Sequence, residues 1–243
     1  MPRSPRYYML MASLPPLPPF FTSDQTPISR LRLDRRLSML EPEDREELAA
    51  LEDLMRWDRL PLDITDQKII ERANEFIPQL RSSTLRDVTT WRLEVRTVVA
   101  GLRRRALGRP APSPGEQWGY GRWVRHIQRN WSSGEFGLGG VLPWVAEFSR
   151  LITEKDTLGF ERELLSVTWQ YMSRVADRHF FSFEAVALYV LRWDTISRWT
   201  AYDGQLAQER FDRLVNAGLG EHAHLFENQR SRSDRAATTA LTE

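Results

Sequence analysis

Four histidines, His126, His179, His222 and His224, are the side chains best suited by type to proton transfer or metal ligation near neutral pH. His222 and His224 flank one alanine, and no carboxylate–histidine helix motif surrounds them, so they read as exposed histidines rather than metal ligands. His179 precedes Phe180-Phe181. Paired with Glu161 or Glu163 it could serve a small helical enzyme as an acid–base couple; the plainer reading is a histidine that ends a helix. Other carboxylates stand beside arginines, as in Asp44-Arg45-Glu46 and Asp212-Arg213, which is the pattern of a solvated helix face. The glycines of 132–140 invite a phosphate-loop reading, but no Gly-Lys-Ser/Thr follows and no strand precedes them, so they read as a flexible turn. Nucleophile elbow, zincin motif and dinucleotide fingerprint are all missing from the sequence. Cysteine is absent, which removes disulfides, thiolate metal sites and cysteine nucleophiles. No catalytic, cofactor-binding or metal-ligating residue is assigned, and the chain is expected not to be an enzyme.

The elements that must carry these residues are helices. A chain of 243 residues is long enough for a sizeable core. Its formal net charge of +1 gives no global field for nucleic acid or acidic membrane. Lys68 and Lys155 are its only lysines, so arginine supplies nearly all the positive charge. No apolar run approaches the length of a membrane span, and the proline-broken start lacks the features of a signal peptide, so a cytosolic protein is expected.

Residues 180–199 form the clearest helix in the sequence. Ser182 is placed to cap it, with Phe181 and Val186 as a hydrophobic staple and Gly204 as a stop. Phe183, Val186, Ala187, Val190, Trp193 and Ile196 share one face, and Leu188, Tyr189 and Leu191 widen it nearly all round. Such a helix belongs at the centre of a bundle. Before it, Tyr7 to Ala12 and the prolines of 15–19 read as an apolar strap on the domain, or else as a polyproline ligand. Pro27 and Pro42 each open a helix, Thr65 or Asp66 caps another, and Ser82 or Ser83 caps a fourth that ends in Arg103-Arg104-Arg105. That basic triplet reads as a solvated helix end. Residues 108–115, rich in proline and glycine, are the best linker. Helices then follow near 121–130 and 142–152, from 156 or 157 to about 176, and over 205–215. The expected fold is all-α, a bundle of eight or nine helices. It divides into an N-terminal half over 1–107 with its strap, a C-terminal half over 116–220 and a disordered tail over 221–243. Seven tryptophans crowd into the second half; most serve the core, and a surface subset could anchor a protein interface.

Two stretches carry a family resemblance. Tyr7-Tyr8-Met9-Leu10-Met11-Ala12-Ser13-Leu14-Pro15 resembles a "YYxLxAxLP" opening. Phe160-Glu161-Arg162-Glu163 through Trp169, with Phe180 to Val186, Tyr189, Leu191 and Arg198-Trp199, resembles the C-terminal signature of the same group. This is a little-characterised bacterial family encoded in V/A-type ATPase operons and similar to the helical cap of the ATPase central stalk. The resemblance implies a helical, non-enzymatic connector of a V/A-type proton or sodium ATPase. Its partners would be the rotor shaft and the membrane rotor ring, and it would lie in the cytoplasm, peripheral to the inner membrane. An assembly factor or adaptor for the same machine is the alternative that it allows. Arginine-mediated nucleic-acid binding is disfavoured by the near-zero net charge.

Overall fold

The computed structural model describes residues 7–22, 25–55 and 65–202. Among them are nine α-helices, one short 3₁₀ turn and no strand, so the fold is the expected all-α bundle. In chain order they are α1 (Tyr8–Ser13), α2 (Arg30–Leu37), α3 (Pro42–Met55), α4 (Asp66–Phe76), α5 (Ser83–Ala106), α6 (Trp123–Arg129), α7 (Trp144–Thr153), α8 (Thr157–Ala176) and α9 (183–202). The chain forms two compact units, 1–197 and 198–243; of the second, only the end of α9 is described. The expected helix over 205–215, the stop at Gly204, the tail 221–243 and the break at Leu60-Pro61-Leu62 lie outside the described residues.

Local chemistry sets most boundaries. Thr65 accepts the Lys68 N–H at 3.3 Å, Ser82 the Leu85 N–H at 3.4 Å and Asp156 the Gly159 N–H at 2.8 Å, so each satisfies an N–H that the first turn leaves without a partner. α5 ends where Gly108, at φ 68°, turns the chain, and the N–H groups of Gly108 and Arg109 bond back to the Arg105 and Arg104 carbonyls. One expected start moves and one holds without its expected cap bond. α2 begins at Arg30 after Ser29, three residues beyond Pro27. α9 begins at Phe183: Ser182 stands at the cap position and its carbonyl accepts the Val186 N–H, but its buried hydroxyl makes no cap bond.

Three apolar clusters fill the first unit. The largest joins Tyr7, Leu10 and Leu14 with α2, α3, the start of α5, the end of α8 and residues 183–193 of α9. The second joins α5 to α6, α7, the start of α8 and the 131–142 segment. The third lies between α3, α4 and Leu93 of α5. α9 is central to the first cluster, as its apolar circumference predicts. The element common to all three is α5, whose 24 residues extend about 36 Å.

Two stretches expected to be loose are held. Residues 132–140 are a run of turns, yet Phe136 and Leu138 within it are fully buried against α5, α6 and α7. In 108–115, Arg104 donates to the Pro110 carbonyl at 3.0 Å and pairs with Glu116, while Gln128 donates to the Pro112 and Ser113 carbonyls. Arg103 stays exposed, as a solvated helix end would, whereas Arg104 and Arg105 are half-buried and bonded. Arg103 lies over the Phe160 ring at 4.9 Å, and Arg105 donates to the Ser133 and Gly134 carbonyls while lying over the Phe136 ring at 4.3 Å. A guanidinium suits this place because its fork of donors reaches several carbonyls while its plane covers an aromatic face.

Candidate protein interface

The two stretches that carry the family resemblance are far apart in sequence and meet in the fold. Along α1 and its two flanking residues, Tyr7, Leu10 and Leu14 follow helical spacing and turn inward, which leaves Tyr8 and Met9 facing out. The Tyr7 N–H donates to the Phe181 carbonyl at 3.0 Å. That bond fixes α1 against the turn between α8 and α9, and the Tyr8 ring settles 4.8 Å from the Phe181 ring, tilted at 51°. Tyr8, Met9, Phe180 and Phe181 are exposed by 59%, 74%, 68% and 37%, four large apolar side chains gathered at one junction. Scattered exposed apolar residues are ordinary on a protein surface, whereas a group that includes three aromatic rings has the composition of an interface core.

Beneath the patch lies a rigid polar support. The Tyr7 phenol donates to Asp44 at 2.5 Å and accepts the Glu41 N–H at 3.3 Å. Arg81 reaches Asp44 at 2.6 Å, Glu47 at 2.5 Å and Glu43 at 3.0 Å. Burial, reinforced by the bond to Asp44, pushes the Tyr7 phenol up to about 12. Asp44 is buried and fully engaged, which is how a core tolerates a carboxylate. Thr84 and the His179 Nε2 lie 3.3 Å apart beside the same turn.

The strap continues this anchoring. Leu14 is buried, the Tyr189 phenol donates to the Pro15 carbonyl at 2.9 Å, and Phe20 stacks on Trp169 at 5.2 Å. The prolines are thus part of a packed strap.

The residues weighed for catalysis do not converge. Glu161 and Glu163 stand in the first turns of α8 and His179 beyond its far end, a separation of roughly 20 Å or more along the helix. His126 bonds the Phe136 carbonyl at 2.8 Å and thereby fixes the buried turn. His222 and His224 lie outside the described residues. Among the described residues no group of three or more His, Asp or Glu side chains could hold a metal ion, and no helix is long and apolar enough to cross a membrane. Of the seven tryptophans in the second half, Trp118 and Trp193 are buried and Trp123, Trp131, Trp144, Trp169 and Trp199 are half-buried, so the most exposed large apolar side chains are not among them. Tyr8, Met9, Phe180 and Phe181 take that place. Their exposure was readable only in part, since the apolar stripe of α1 separates Tyr8 and Met9 from Leu10, but nothing local sets Phe180 apart from Phe183.

Fold and site together define an all-α protein that presents a cluster of exposed aromatic residues beside a partly buried group of ion pairs. Residues 74–219 match a family of proteins of unknown function (DUF2764), and the chain belongs to that family. The match takes in Phe180 and Phe181 but not the strap. No curated protein and no solved structure matches the chain.

Proposed function

We propose that the chain is a non-enzymatic connector in a V/A-type proton or sodium ATPase, joining the rotor shaft to the membrane rotor ring from the cytoplasmic side. The observation that carries the docking part is the meeting of Tyr8, Met9, Phe180 and Phe181 at one exposed junction over a rigid base. The ATPase itself is supported by the resemblance of the two stretches that form this junction. Aromatic side chains held on a fixed backbone contribute binding energy at small entropic cost, which suits a part that must transmit torque without yielding.

Purification of the native ATPase tests the proposal. The chain should remain at fixed ratio to the rotor shaft, and replacing Tyr8 and Phe181 together with alanine should release it while its helix content stays unchanged. An intact rotor without this chain would overturn the connector reading. Presence only in incomplete complexes would identify an assembly factor instead.

A further inference from the structure

The seam between α8 and α9 contains an arginine, Arg192, without the carboxylate partner that several other arginines have among the described residues. Arg30, Arg81, Arg104 and Arg122 all reach carboxylates. Arg192 is largely desolvated, and among the described residues it makes no ion pair. Its Nε donates to the Leu188 carbonyl at 3.3 Å, which leaves the terminal nitrogens of the guanidinium for another partner. Burial lowers its pKa from the ordinary value, against the weaker opposite pull of Asp177 and Tyr189.

Its position is fixed from two sides. The guanidinium carbon lies 5.8 Å from the Trp169 ring, and the field of Asp177 acts on it. Trp169, Ser173 and the C-cap Asp177 follow one another at four-residue spacing along α8, so Ser173 lies on the same helix face, between the two residues that act on Arg192. The Ser173 hydroxyl is buried and has no hydrogen-bond partner. Phe20, stacked on Trp169, holds the indole in place.

We propose that Arg192 and Ser173, set against the Trp169 indole, form a binding site for a compact oxyanion, a carboxylate or a phosphate group. The guanidinium offers paired donors of the geometry that such groups accept, and the hydroxyl supplies a third. The indole face orients the guanidinium in advance, which reduces the entropy lost on binding. Asp177 sits one turn away and competes for the same cation, so binding is weak and reversible. This inference does not rest on the ATPase reading.

The full chain labelled with 5-fluorotryptophan provides the test. The Trp169 fluorine resonance is assigned by its loss in Trp169→Phe and followed while inorganic phosphate or glutarate is added, with sodium chloride at matched ionic strength as control. A saturable shift with phosphate or glutarate but not chloride is expected, and which of the two binds tighter names the group. Arg192→Met should abolish the shift, and Arg192→Lys, which keeps the charge but loses the fork, should weaken binding about tenfold. Should Arg192→Met fail to fold, Ser173→Ala takes its place and should weaken binding severalfold. No shift with either anion, an equal shift with chloride, or an undiminished shift in the variants would overturn the site.

Discussion

Phe136 holds a backbone φ of 54°, in the left-handed region that bulky residues avoid, at a penalty on the order of 1–2 kcal/mol. Its ring is fully buried, stacked on Trp131 at 5.3 Å and covered by Arg105, and burying a phenyl group outweighs the strain. Phe136→Ala should therefore destabilise the protein by about 3–5 kcal/mol. Phe180, exposed by 68%, has little burial to lose, and Phe180→Ala should change stability by no more than about 0.5 kcal/mol. Urea melts of the two variants check the pair. Equal losses would mean that Phe136 is not the plug of its turn, and a large loss at Phe180 would remove it from the exposed patch.

At the scale of elements, the strap is fastened by two phenols. Tyr7 donates to Asp44 and Tyr189 to the Pro15 carbonyl, and burial raises both to about 12 from an ordinary 10.0. A phenol whose folded pKa is raised contributes stability that is complete below the unfolded value. That contribution is lost as pH rises through the folded value. The strap should thus weaken between about pH 10 and about pH 12. Tyrosinate absorbance followed against pH, with denaturant melts at each end of the range, should show stability falling there. Tyr7→Phe and Tyr189→Phe should each flatten the fall. Tyr7→Phe should also lower stability near neutral pH by about 1–3 kcal/mol, because it leaves the buried Asp44 short of a donor. An unchanged slope in both variants would show that the strap is held by its leucines alone.

Over the whole molecule, α5 decides cooperativity. It contributes Leu85 and Val88 to the first cluster, Leu93 to the third, and Val95, Val98, Val99 and Leu102 to the second. A helix shared by three clusters couples them, because fraying one end exposes apolar surface in the next. Trp193→Ala, in the first cluster, also removes the indole bond to the Ile28 carbonyl; Phe148→Ala lies in the second. Each should cost about 3–5 kcal/mol and lower the midpoint of one common transition of residues 1–197. Calorimetry and circular dichroism that resolved two transitions, each sensitive to one substitution, would instead divide the chain near 108–115.

Helix class, most helix starts and the inward stripes of α3, α4, α5 and α9 were legible in the sequence. These depend on neighbours three or four residues apart and on caps within one turn, and such contacts are local. The strap was legible as well, since Leu14, Leu17 and Phe20 carry more apolar surface than a free tail tolerates. What the tertiary structure decided was long-range. The sequence of 132–140 promises a loose turn, yet Arg105 from 28 residues earlier and His126 lock it so that Phe136 is buried. Arg104 and Arg105 look solvated in the sequence because the carbonyls and the ring they meet belong to segments that arrive only on folding. Glu161 and Glu163 are near His179 in the chain but stand at the opposite end of a rigid helix from it. The exposed patch is the clearest case. Tyr8 and Phe181 are 173 positions apart, and only the folded packing of α1, with the Tyr7 N–H bonded to the Phe181 carbonyl, sets their rings side by side. Local periodicity can assign a residue to a helix face, but it cannot say what will come to cover that face or leave it open.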